Sequence, residues 1–252
     1  MRATTRGNGD AGLRSLPPGG ARVFYVFQEA LVPALRERFM ESLCEDERAR
    51  HVRLIRETDR DLFLLAHGML RYIVGHYGGL APHALRFERN EHGRPALQGS
   101  EAPAALRFNL THTPGLTACA LAMGRDVGVD AENLSRRVDR RSVSARVFSD
   151  EERRGLDALS GAAAQERFFL HWTLKEAYVK AMGRGFSLRL RQITTVPGND
   201  DGATLQLKHM DDDPSRWTLR SYRAGAEHQL AVALEATGDA PIEFEEVRFS
   251  AA

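Results

Sequence analysis

Two short stretches of this 252-residue chain hold side chains that could do chemistry together. In the first, Arg125 to Glu132 alternates in the manner of a strand, so Asp130 and Glu132 project from one face. Two carboxylates this close repel each other. A hard divalent cation relieves that repulsion, and Mg²⁺ in particular takes oxygen ligands while keeping water or phosphate oxygens in its shell. The second stretch, Phe168 to Gly183, reads as a helix that is apolar nearly all round yet carries Lys175, Glu176 and Lys180. A helix of this composition should be buried, and buried charges are costly unless paired, hydrogen-bonded or bound to an ion. On a helical wheel Trp172, Lys175, Glu176 and Lys180 share one side. A carboxylate flanked by two ammonium groups suits a phosphate and a metal, so Asp130, Glu132 and Glu176 form a candidate triad.

Plainer readings exist for each residue. Asp130 and Glu132 could be the solvent face of an edge strand, and Glu176 with Lys180 is an i,i+4 pair in the favourable orientation. Trp172 reads best as a core residue that packs the site, and His112 could be a structural turn histidine. The apolar surround of the helix argues against simple exposure.

The elements that must position these groups are mixed. Arg22 to Phe27 suggests a strand, Leu31 to Leu43 a helix, and Glu45 to Tyr77 helical segments stopped by Gly78-Gly79. Leu85 to Glu88 alternates like a strand, and Asn90 to Gly93 turns the chain. Leu106 to Leu110, Thr117 to Met123 and Val127 to Glu132 follow as strands. Ser149 to Glu152 spells a capping box, and Gly183 stops the long helix. Strands near Thr204 to Lys208, Trp217 to Tyr222, Gln229 to Glu235 and Glu245 to Phe249 complete a chain of α+β class.

Composition is compatible with an ordinary globular protein. Lys and Arg total 35 against 34 Asp and Glu, a net charge of +1, so no global field argues for nucleic acid or membrane. Arginines cluster between Arg136 and Arg146, but no nucleic-acid-binding motif accompanies them. Cys44 and Cys119 lack a C-x-x-C partner and suit a reducing compartment, hence the cytoplasm. Residues 1–21 have no apolar core for a signal or a membrane span and read as a flexible tail.

Gly128-Val129-Asp130-Ala131-Glu132, followed by Trp172-Thr173-Leu174-Lys175-Glu176-Ala177-Tyr178-Val179-Lys180, resembles the paired signature of 4′-phosphopantetheinyl transferases, G-[VI]-D-x-E and W-x-x-K-E-[AS]-x-x-K. Gly93-Arg94-Pro95, Phe108 to Thr113 and Phe148 to Glu152 match in the same order. The layout is similar to the larger, monomeric Sfp-type branch of that family. The resemblance implies two similar α/β subdomains in pseudo-twofold relation, divided here as 22–124 and 125–252, with coenzyme A between them. It implies transfer of the phosphopantetheine arm from coenzyme A to a serine of an apo acyl or peptidyl carrier protein. Asp130, Glu132 and Glu176 would hold Mg²⁺, or Mn²⁺ in its place, with Glu176 as a ligand, a base or both. Lys175 and Lys180 would contact the pyrophosphate. His112 and Arg94 would serve the 3′-phosphate, with Thr111 as a neighbouring donor. The family carries a basic residue upstream of the position matching Arg71; Leu62 stands there in this chain, and Arg60 is the nearby cation. The carrier would dock near Arg136 to Arg146. The alternative is a non-catalytic coenzyme A or carrier-binding module of the same fold.

Overall fold

The computed structural model describes residues 13, 15–89, 95–98, 105–183, 189–236 and 240–247. In chain order the elements are β1 (Ala21–Phe27), α1 (Pro33–Ser42), α2 (Glu45–Arg53), α3 (Glu57–Gly78), β2 (Phe87–Arg89), β3 (Pro95–Leu97), β4 (Leu106–Thr113), β5 (Leu116–Met123) and β6 (Val127–Asn133). They continue with α4 (Arg140–Val147), α5 (Asp150–Asp157), α6 (Gly161–Met182), β7 (Ile193–Pro197), β8 (Gly202–Leu207), β9 (Trp217–Ala224), β10 (His228–Glu235) and β11 (Ile242–Glu246). The class is α+β, as expected. None of the helices among the described residues is long and apolar enough to cross a membrane.

The strands form one sheet in the order β11-β1-β5-β4 and another in the order β6-β10-β9-β8-β7, with β2 and β3 pairing apart. Each large sheet carries one long helix, α3 on β4 and β5 and α6 on β6 and β10. Both helices have 22 residues, and each ends on a glycine in the left-handed region, Gly79 at φ 65° and Gly183 at φ 64°. That position is open to glycine without strain and stops a helix cleanly. The two halves therefore share a plan, although their sheets differ in size.

Most of the expected tail lies outside the described residues, but its last part is packed: Leu16 lies on the first core, the Ser15 carbonyl accepts from Arg22 Nη2 at 3.0 Å, and Ala21 is already in β1. A boundary at residue 125 also leaves β11 on the wrong side. That strand pairs in parallel with β1, from Ala21 opposite Ile242 to Tyr25 opposite Glu246. Buried Arg22 fastens it, reaching Glu243 at 2.8 Å and Glu245 at 2.9 Å. The short strand β7 also went unanticipated, because its Thr194 and Thr195 are both buried and no polar alternation marks them.

The sheets meet where β4 runs beside β6, and side chains there stand in for a backbone ladder. Asn109 Oδ1 accepts the Val129 N–H at 3.0 Å, and Thr113 Oγ1 accepts the Asn133 N–H at 3.1 Å. Asn109, Thr111 and Thr113 lie at alternate positions of β4 and so share the face turned to β6. Backbone donors left bare in such a seam would be costly. These side chains satisfy them.

On its other side β6 lies directly against α6. A Cβ placed on Gly128 would stand 2.1 Å from the Ala177 carbonyl oxygen and 2.3 Å from the Ala181 nitrogen. Only glycine allows strand and helix backbones this close, and Ala177 and Ala181 keep the helix side small. The carboxylates two and four residues further along β6 are thereby held at a fixed distance from α6. Gly128→Ala should lower the unfolding free energy by about 1–3 kcal/mol or more, the usual cost of overpacking. Urea denaturation checks this, and an unchanged midpoint would disprove the close packing.

Candidate active site

Asp130 and Glu132 point from β6 into a cleft of about 610 Å³ that is also lined by Leu62, His112, Arg136 and Lys180. Both carboxylates are buried. Lys180, about two turns after Trp172 on α6, donates to Asp130 Oδ1 at 2.6 Å, Thr111 Oγ1 at 3.1 Å and the Val129 carbonyl at 3.2 Å. Thr111 in turn donates to Asp130 Oδ1 at 3.3 Å. Glu132 is held by three contacts: Arg136 Nη1 lies 2.9 Å from each of its oxygens, and Trp172 Nε1 donates to Oε1 at 3.0 Å. Trp172 thus orients a carboxylate as well as packing parallel to Phe168.

Glu176 joins the group from α6. Burial, then the negative charge of Asp130, raises its carboxyl to about 7; Lys180 opposes this and Glu132 adds to it. Asp130 and Glu132 are also pushed up by burial, against the pull of Lys180 and Arg136 respectively. The charge of Asp130 raises both glutamates, and that of Glu132 adds to the rise of Glu176, as close carboxylates in a low-dielectric space do.

The expected metal triad is nevertheless not preformed. No three of His, Cys, Asp and Glu among the described residues are arranged to hold a metal ion; Lys180 takes Asp130 Oδ1, and Arg136 takes both Glu132 oxygens. The donor set still fits a hard cation. Asp130 Oδ2 and Glu176 Oε1 are buried acceptors with no hydrogen-bond partner, a costly condition that a cation would relieve.

Lys175 is not in the cleft. Its Nζ lies 2.6 Å from Glu152 Oε2 and donates to the carbonyls of Val147, Leu190 and Ile193 at 2.9, 2.9 and 2.6 Å. Adjacent helical residues diverge by about 100°, enough to carry Lys175 away from Asp130 and Glu132 while Glu176 stays near them. Glu152 completes the cluster: it accepts from Ser149 N at 2.8 Å in the expected capping box, and from the N–H and hydroxyl of Thr195, each at 2.8 Å. His171 meets the same Thr195 hydroxyl at 2.7 Å, and burial pushes its imidazole down to about 4. The capping motif announced a helix start. Nothing in its spacing signalled that Glu152 is also the counterion of Lys175.

The remaining expectations divide. His112 is exposed on the cleft wall, and partial burial with the charges of Lys180 and His67 lowers its pKa. Thr111 lines the cleft, but its hydroxyl serves Asp130 and Lys180, so it is not a spare donor for a phosphate. Arg60 does not line the cleft; Leu62 does, and the Arg60 charge acts instead on His51 of α2. Arg94 lies outside the described residues. Arg136 on Glu132 was not foreseen from sequence, although the four-residue interval is that of a helical ion pair.

Comparison with known proteins finds relatives of both halves of the chain. The family described as "4'-phosphopantetheinyl transferase, N-terminal" matches residues 34–123, and the "4'-phosphopantetheinyl transferase superfamily" matches residues 126–233. The 4'-phosphopantetheinyl transferase HetI of Nostoc sp. is 36% identical over 165 residues, 66% of this chain and 69% of that protein. The 4'-phosphopantetheinyl transferase Sfp of Bacillus subtilis is 26% identical over 196 residues, 78% of this chain and 84% of that one. Among solved structures, a holo-(acyl-carrier-protein) synthase from Bacillus anthracis in complex with CoA (3',5'-ADP) aligns at 19% identity and a TM-score of 0.36, over 45% of this chain and 96% of the other. The chain belongs to the 4'-phosphopantetheinyl transferase superfamily. Within it, matches to both halves and the similarity to HetI and Sfp mark the Sfp type.

The two lysines of α6 should separate experimentally. Lys175→Ala leaves Glu152 buried and uncompensated, at a cost of about 3–5 kcal/mol. Lys180 is 29% exposed on its side chain, so Lys180→Ala should cost less than half as much while reducing turnover. Chemical denaturation of both variants decides, and equal losses would contradict the division.

Proposed function

We propose that the cleft transfers the 4′-phosphopantetheine arm of coenzyme A to a serine hydroxyl of an apo carrier protein and releases adenosine 3′,5′-bisphosphate. One observation supports it above the rest: a single cavity brings the exposed imidazole of His112 together with Asp130, Glu132 and Lys180. The nucleotide phosphates and the reacting pyrophosphate could thus be served from one cleft.

In this reading the serine oxygen attacks the β-phosphorus, the bond from that phosphorus to the bridging oxygen breaks, and the serine proton passes to a base. Glu176 could take that proton directly or through water, and a cation held beside it would keep its carboxylate ionised for the purpose. Asp130, Glu132 and Glu176 would hold Mg²⁺ or Mn²⁺, which when bound would neutralise charge on the pyrophosphate. Lys180 would keep Asp130 oriented and offer its ammonium to a phosphate oxygen. Arg137, Arg141 and Arg146 are exposed along and before α4, in the segment that follows Glu132 in the chain, and would present positive charge to an acidic carrier; exposed charges of this kind act mainly on encounter and partner choice. The protein would act in the cytoplasm as a monomer.

Mass spectrometry of apo-carriers from fatty acid, polyketide and peptide synthesis, incubated with protein, Mg²⁺ and coenzyme A, tests the reaction directly. A phosphopantetheinyl mass gain on the serine is expected, lost on adding EDTA and in a folded Asp130→Ala variant. No gain on any carrier, with coenzyme A still bound, would leave a non-catalytic binding module. For His112, a hydrogen bond to a charged group is worth about 1.5–3 kcal/mol, so His112→Ala should weaken coenzyme A binding roughly ten- to a hundred-fold. Dephospho-coenzyme A should bind the wild type and the variant alike in calorimetry; an equal loss for both ligands would return His112 to a structural role.

A further inference from the structure

We propose that Arg136 is a built-in counterion that occupies Glu132 until a metal ion takes its place, and that an acidic carrier favours the exchange by drawing the guanidinium away. The inference rests on the reading of Asp130, Glu132 and Glu176 as metal ligands.

Three features carry it. Arg136 Nη1 sits between both Glu132 oxygens at 2.9 Å, so guanidinium and metal compete for the same lone pairs. Trp172 Nε1 fixes Oε1 from the α6 side, so the carboxylate itself stays in position during an exchange. Meanwhile the Arg136 backbone is pinned: its N–H donates to the Asn133 carbonyl at 3.1 Å, and its carbonyl accepts from Gln165 Nε2 at 3.1 Å, with Gln165 also bonding the Leu134 carbonyl at 2.9 Å. The side chain is 54% exposed while Glu132 is 10% exposed. Release is therefore a rotamer change at the cleft rim, with no loop to rebuild.

Lys180 differs on each point. It is 29% exposed and donates to three acceptors, two of them on β6 and one on β4. Its role is to hold the seam, whereas among the described residues the Arg136 guanidinium bonds Glu132 alone. Swung outward, Arg136 joins exposed Arg137 and Arg141, on the surface offered to the carrier. Because coupling between two ligands is reciprocal, a carrier that engages Arg136 must tighten metal binding by the factor by which metal tightens carrier binding.

Mn²⁺ titration followed by electron paramagnetic resonance, without coenzyme A, reads the exchange apart from turnover. Arg136→Ala should bind Mn²⁺ roughly three- to ten-fold more tightly than the wild type, the weight of a partly exposed ion pair. Arg137→Ala, which removes the same charge without the contact, should change affinity by less than about two-fold. An acidic carrier with its acceptor serine changed to alanine should tighten Mn²⁺ binding to the wild type and leave Arg136→Ala unmoved. Equal effects of Arg136→Ala and Arg137→Ala, or no tightening in Arg136→Ala, would sink the proposal while sparing the metal reading. Wild type and Asp130→Ala binding Mn²⁺ equally would take both down.

Discussion

Crowding three carboxylates into one desolvated neighbourhood between β6 and α6 is the constraint around which this molecule is built. Asp130, Glu132 and Glu176 disfavour one another's charge, and a low-dielectric cleft amplifies the penalty. The chain offsets it with its own cations, Lys180 on Asp130 and Arg136 on Glu132. Two backbone devices keep the arrangement in register. The polar face of β4 holds β6 from one side, and the bare backbone of Gly128 seats α6 against the other.

A second ionic cluster lies behind the first and has the opposite character. Lys175 and Glu152 are each 1% exposed on their side chains and fully hydrogen-bonded. A buried pair of this kind gives little net stability compared with apolar packing, yet it is severe on any change to one partner. Its members come from α5 and α6 and bond the backbone of β7 and of the loop before α5, so it fixes how α6 is rotated. That rotation decides which of two adjacent residues, Lys175 or Glu176, comes near Asp130 and Glu132.

The sequence made some of this plain and hid the rest for physical reasons. Strand alternation put Asp130 and Glu132 on one face, and the charges on an apolar helix announced that α6 is buried and that its charges are partnered. Helix ends at Gly79 and Gly183 and the Ser149 cap were equally readable, since each depends on local backbone preference. What was hidden depends on contacts remote in the chain. A wheel groups Lys175 with Glu176, and only the position of Glu152 separates them. Asn109, Thr111 and Thr113 read as ordinary strand residues until β6 is placed beside them, and Leu62 takes the cleft wall where a cation was sought at Arg60. The return of β11 to β1 has no local signature at all.

That return has a consequence for how the chain is made. The first sheet holds β1 from residue 21 onward, but its outer edge is closed only by β11, which begins at residue 242. During synthesis from the N-terminus, β1 must wait as an open edge while the whole second sheet and α6 are being added. An unpaired edge is a template for wrong partners. Residues 21–27 therefore stay open to misassociation until residue 242 and beyond have been added, and the first sheet, however alike the two halves are in plan, cannot be completed before the second has been made.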